Sequence, residues 1–204
     1  IAEGIIIAEK FLNNESFVFI LGDNLFIGSL LKLNQKKKFN INNGATIFSY
    51  NVYDPERYGI VSLDKMNNPI NIIEKPKQYV SNKAITGLYF YDNNAPKIAK
   101  NLSPSLRNEL EITDINKHYL KQNILNVIPI DDYVTWLDAG TINSLYEASN
   151  FVSAIEQRTG KKIGCIEEIQ FNKNIINKKD LENIKKRYRN SEYGNYLQNI
   201  IDRN

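Results

Sequence analysis

The chain has 204 residues, enough for one large domain or one domain with a small appendage. Its 26 basic and 23 acidic residues nearly balance, which suits small anionic substrates and gives no nucleic-acid footprint. One Cys excludes an intrachain disulfide and is consistent with a reducing cytoplasm, and one Cys with one His excludes a zinc site.

In chain order, the apolar spacing of Ile1–Leu12 predicts a helix. Phe17–Leu21 reads as a strand buried on both faces, followed by a helix over Leu25–Lys37. Ala45–Val52 reads as a strand and Asp54–Gly59 as a loop marked by Pro55 and Gly59. Ile60–Leu63 and Ile70–Ile73 read as paired strands joined at Asn67-Asn68-Pro69, and Ile85–Tyr91 as another strand. A helix is expected over Ala95–Leu102, and a second after Thr113-Asp114, through Leu120. Strands over Leu125–Ile130 and Val134–Leu137 precede a long helix that Thr141 could cap and Gly160 could stop. Leu181–Arg189 and Tyr193–Ile201 read as polar-faced helices.

The alternation of strand and helix predicts an α/β fold with a largely parallel sheet. The expected division is residues 1–147 as the core and 148–204 as a C-terminal helical segment. No apolar run reaches bilayer length, so no membrane partner is expected. Lys36-Lys37-Lys38 and Lys185-Lys186-Arg187 read as solvated faces or helix C-termini, and the abundance of Asn, Lys and Ile as genome bias.

Val18-Phe19-Ile20-Leu21-Gly22-Asp23-Asn24 and Thr135-Trp136-Leu137-Asp138-Ala139-Gly140 are apolar runs that deliver an aspartate beside a glycine. A strand that ends on a carboxylate is a common way to hold Mg²⁺ over a phosphate. A strand-end turn with Asp as helix cap reads Asp23 equally well, and a core anchor accounts for part of Trp136. Glu74-Lys75-Pro76 offers a carboxylate for sugar hydroxyls and a compact cation for phosphate, with Pro76 expected to hold Lys75 extended. A surface ion pair is the bland alternative. Gly87 early in its strand suggests close approach by a ligand or another backbone. Arg107 can meet phosphate bidentately, although Glu109, Glu111 and Asp114 can equally orient it or cap the helix. His118 has no nucleophile or carboxylate cluster beside it and reads as a surface or packing residue.

Taken together, Leu21–Asn24, Asp54–Gly59, Glu74–Pro76, Thr86–Asp92, Glu109–Asp114 and Trp136–Thr141 resemble the glucose-1-phosphate thymidylyltransferases, sugar nucleotidyltransferases. The resemblance runs from Ile1 to about the final helix. It implies a Rossmann-like core flanked by helices, Mg²⁺ dependence, and formation of dTDP-glucose and pyrophosphate from dTTP and glucose 1-phosphate. By the same resemblance Asp23 and Asp138 would bind Mg²⁺, and Tyr58, Gly59, Glu74 and Ile85 would contact the sugar. Lys75 and Arg107 would face phosphate. Asn24, Gly87 and Trp136 would line the pocket. Ile85 stands where the family tends to have Val, an extra methylene expected to be tolerated. A homo-oligomer, a tetramer, is implied, with a nucleotide regulatory site near subunit contacts. The family's glycine-rich nucleotide loop and base-reading segment are not found. The expectation is therefore an N-terminally shortened chain, inactive alone. Rival expectations are a UTP- or CTP-dependent sugar-1-phosphate nucleotidyltransferase, a non-catalytic regulatory subunit, and a metal-dependent glycosyltransferase.

Overall fold

The computed structural model describes residues 1–28, 43–131 and 133–203. It divides into two compact units, Ile1–Leu145 and Tyr146–Asn204.

The first unit is built on β6 (Lys83–Tyr91), a nine-residue strand rich in β-branched and aromatic residues and almost wholly buried. One edge of β6 pairs antiparallel with β3 (Ala45–Asn51) along its length. The other edge is shared. β4 (Gly59–Leu63) meets it at Ile60↔Ala84, and β1 (Phe17–Ile20) runs from Phe17↔Tyr91 to Ile20↔Leu88. Between those two partners the edge of β6 opens at Gly87. β7 (Leu125–Pro129) adds parallel to β3, and β5 (Pro69–Glu74) pairs antiparallel with β4. Hence β1, β3, β4 and β7 point one way and β5 and β6 the other, a mixed sheet in which one direction predominates.

Helix α1 (Ala2–Leu12) packs Ala2 and Ile5 into the main core beside Ala95, Ile98 and Ala99, which come from or adjoin α2 (Ala95–Lys100). Ile112, Ile115 and Tyr119 of α3 (Ile112–Lys121) enter the same core against Ile72. Tyr91 and Tyr119 stack at 5.9 Å, and their hydroxyls donate to Asn116 Oδ1 and Asp92 Oδ1. Their polar tips are thereby satisfied inside an apolar layer.

Two expectations change. Residues 24–27 form a strand, β2 (Asn24–Ile27), not the start of a helix, because β8 (Thr135–Asp138) supplies an antiparallel partner. The remainder of the expected helix, with Lys36-Lys37-Lys38, lies outside the described residues. β1 is buried on one face only, since Val18 and Ile20 are each more than half exposed.

The second unit is helical. α4 (Ile142–Thr159) begins at Thr141, whose Oγ1 accepts from the Ser144 amide at 3.1 Å, and ends at Gly160 with φ +65°. α5 (Ile166–Asn172), α6 (Lys178–Lys185) and α7 (Glu192–Arg203) enclose a separate core of Cys165, Leu181, Leu197, Ile200 and Ile201. Asn177 and Asp180 form a reciprocal capping box at the start of α6. Helix α5 carries no strong periodic signal and is not among the predicted elements.

Candidate active site

A cavity of about 400 Å³ opens in the first unit. All eleven site residues proposed from sequence are reached: Asp23, Asn24, Tyr58, Gly59, Glu74, Lys75, Ile85, Gly87, Arg107, Trp136 and Asp138 line it. The β2–β8 register brings the far-separated aspartates together. Asn24 pairs with Asp138, so Asp23 lies immediately beside the last residue of β8, and Asp23 O accepts from the Ala139 amide at 2.8 Å. A Cβ placed on Gly140 would stand 3.1 Å from Asp23 Oδ2 and 3.3 Å from Asp138 Oδ1. Both carboxylates therefore converge on one small space.

Burial, and then the Asp23 charge, raise the Asp138 carboxyl above its ordinary value. Two facing hard oxygens fit a divalent cation. Among the described residues no cluster of three or more His, Cys, Asp and Glu is placed to hold a metal, so a cation here would complete its shell with phosphate and water.

Glu74 ends β5 opposite Gly59, the first residue of β4. Its carboxyl is raised by burial and then by the Glu111 charge. A Cβ on Gly59 would come within 2.6 Å of Thr113 and 3.0 Å of Glu74 Oε2, so only glycine fits there. Next to Glu74, Lys75 has φ +42° and donates its amide to Tyr58 O. The extended backbone expected from Pro76 is thus overturned: the bond to Tyr58 holds Lys75 left-handed against the preference of a pre-proline residue. Every other non-glycine residue with positive φ among those described is Asn.

Arg107 is oriented by acids. Its guanidinium binds Glu109, lies 3.3 Å from Glu111 and reaches Glu74 at 4.0 Å. Glu111 is 5% exposed and also accepts from Ser105 Oγ at 2.8 Å. Trp136 also lines the cavity, with the Tyr58 ring at 5.3 Å and Tyr50 at 5.8 Å. Arg57, Thr113 and Thr141 also line the cavity and were not assigned from sequence. Arg57 pairs with Asp54 at 2.9 Å and sits 5.4 Å from the Tyr58 ring centre, two local signals visible in Asp54–Tyr58. His118 stays outside the cavity, beside Gln122 on α3.

Residues 1–155 match the model of the nucleotidyl transferase family. Curated relatives extend the match over nearly the whole chain. A glucose-1-phosphate thymidylyltransferase of Neisseria gonorrhoeae is 42% identical over 98% of this chain and 70% of its own length. The chain belongs to the nucleotidyl transferases, among the glucose-1-phosphate thymidylyltransferases. The enzyme of that name from Xanthomonas campestris is 40% identical over the entire chain and 69% of its own length. A solved Bacillus anthracis glucose-1-phosphate thymidylyltransferase, in complex with sucrose, is 38% identical with a TM-score of 0.63. That alignment covers 74% of this chain and 60% of the solved one. A UDP-glucose pyrophosphorylase at 23% identity and TM-score 0.65 shares the fold. In this thymidylyltransferase family member, no described helix is long and apolar enough to cross a membrane.

Proposed function

We propose that the cavity binds glucose 1-phosphate and aligns it for attack on dTTP, giving dTDP-glucose and pyrophosphate. The observation that carries this reading is the convergence of Asp23 and Asp138 on one point beside Glu74, Lys75 and Arg107. The choice of glucose 1-phosphate and dTTP rests on the names of the relatives.

A phosphate oxygen of the sugar ester forms a bond to the α-phosphorus of dTTP. The bond from that phosphorus to the bridging oxygen of the β-phosphate breaks, and pyrophosphate leaves with the electron pair. The nucleophile is already ionised near neutral pH, so no general base is needed and catalysis rests on alignment and charge neutralisation. Glu74 accepts sugar hydroxyls at a place Gly59 keeps open. Lys75 and Arg107 supply positive charge to phosphate. Trp136 and Tyr58 wall the sugar from solvent. Asp23 and Asp138 would hold Mg²⁺, which would supply charge neutralisation at the phosphates.

Calorimetric titration of glucose 1-phosphate into the chain with Mg²⁺ tests this, with inorganic phosphate as the comparison ligand. The sugar ester is expected to bind, and Glu74→Ala is expected to weaken it by about tenfold or more through loss of bonds to a carboxylate. Equal affinity for inorganic phosphate, or no binding of either, would sink the reading.

A further inference from the structure

We propose that Asn24 is a positioning residue that sets the direction of the Asp23 carboxylate. This deepens the functional reading above and rests on it for what that carboxylate holds.

The argument starts at the break in the β6 edge. β1 leaves β6 after Ile20↔Leu88, and β4 joins it only at Ala84. The Gly87 carbonyl in the gap accepts from the Leu21 amide at 2.9 Å. Among the described residues the Gly87 amide has no strand partner there, and it donates instead to Asn24 Oδ1, also at 2.9 Å. The same oxygen accepts from Trp136 Nε1 at 2.7 Å. Both of these groups only donate, so the carbonyl end of the Asn24 amide must face them. The NH₂ end is then directed at Asp23 Oδ1, 2.9 Å away. The side chain therefore has one orientation, dictated from three sides.

Gly87 completes the device. A Cβ there would lie 2.6 Å from Asn24 Cγ and Oδ1, so the missing side chain is the space the amide occupies. With Asp23 Oδ1 engaged by Asn24, Oδ2 is the oxygen left facing the point it shares with Asp138. Asn24 thus ties β6, the Trp136 wall and the Asp23 carboxylate into one unit.

Two substitutions remove the tie by different routes. Asn24→Ala deletes the amide, and Gly87→Ala pushes it out while leaving every polar group present. Mn²⁺ binding to the chain alone is followed by water-proton relaxation, and glucose 1-phosphate binding is followed without metal. Each variant is expected to lose about 10–100-fold in Mn²⁺ affinity, the usual scale for a group that orients a metal ligand. Metal-free sugar-phosphate affinity is expected to fall by a clearly smaller factor than Mn²⁺ affinity, since Asn24 and Gly87 also line the cavity that takes the sugar. Wild-type Mn²⁺ affinity in either folded variant would overturn the proposal, as would an equal loss of both ligands in a folded variant. If Asn24→Ala does not fold, Gly87→Ala alone decides. Wild-type protein that binds neither ligand would instead overturn the functional reading beneath it.

Discussion

Lys75 shows how a site residue can work against its own backbone. A left-handed Lys costs about 1–2 kcal/mol, whereas Asn tolerates that region. Asn13, Asn14, Asn67, Asn108, Asn123, Asn174 and Asn190 take the other non-glycine positive-φ positions among the described residues, so part of the asparagine content is conformational and not mere compositional bias. Lys75→Asn should therefore raise stability, by about 1 kcal/mol in denaturant unfolding, while weakening glucose 1-phosphate about tenfold through the lost charged contact. Asp138 carries a related conflict. Its carboxyl is raised by burial and by Asp23, so the folded state binds its proton more tightly than the unfolded chain does. In its ionised form it opposes folding. Stability from this group grows as pH falls from the raised value towards the ordinary one. Asp138→Asn should melt higher than wild type at neutral pH, lose that advantage below the ordinary carboxylate range, and bind Mn²⁺ at least about tenfold more weakly. Melting curves across pH check the sign: an advantage that persists undiminished in acid would contradict it. Both residues stand out by type and spacing, although a single strand-end aspartate reads equally well as a helix cap and only the pair Asp23 and Asp138 favours a metal. The φ of Lys75 was not legible, since the local rule for a residue before proline points the other way and a tertiary hydrogen bond from the Lys75 amide to Tyr58 O decides.

At the level of elements, patterns that close locally were readable and pairings were not. The apolar, aromatic-rich β6 and the Pro- and Gly-marked loop at 54–59 announce themselves. β2 does not. Four residues with every side chain half-buried have no period of two, and only β8, more than a hundred residues later, makes them a strand. β1 looked doubly buried because all its residues are apolar, yet its two faces differ. Gly44 marks where β3 enters the sheet. It has φ +96°, and a Cβ there would lie 2.2 Å from Ile124 O, a backbone atom that β7 holds in place. Its amide also donates to the buried Asp92 at 2.7 Å. Gly44→Ala should cost on the order of 3 kcal/mol from strain and displaced backbone together. A shift of the urea midpoint worth less than about 1 kcal/mol would show that the β3–β7 entry relaxes freely.

For the whole molecule, the two units are each stabilised by their own apolar clusters. The clusters of the first unit draw on residues between Ala2 and Trp136, and that of the second on residues between Cys165 and Ile201. Leu181 is fully buried in the latter, against Leu197 and Ile201. Leu181→Ala removes three heavy side-chain atoms from a small core and should cost about 2–5 kcal/mol there. Because no residue of the β6 core belongs to that cluster, the loss should be local. Amide exchange reads this directly: protection should fall across α6 and α7 and remain across β3 and β6. Glucose 1-phosphate affinity should be unchanged, since every lining residue of the site lies before position 145. Equal loss of protection in β6 would mean that the two cores melt as one, and the substrate site would then depend on a helix it does not contain.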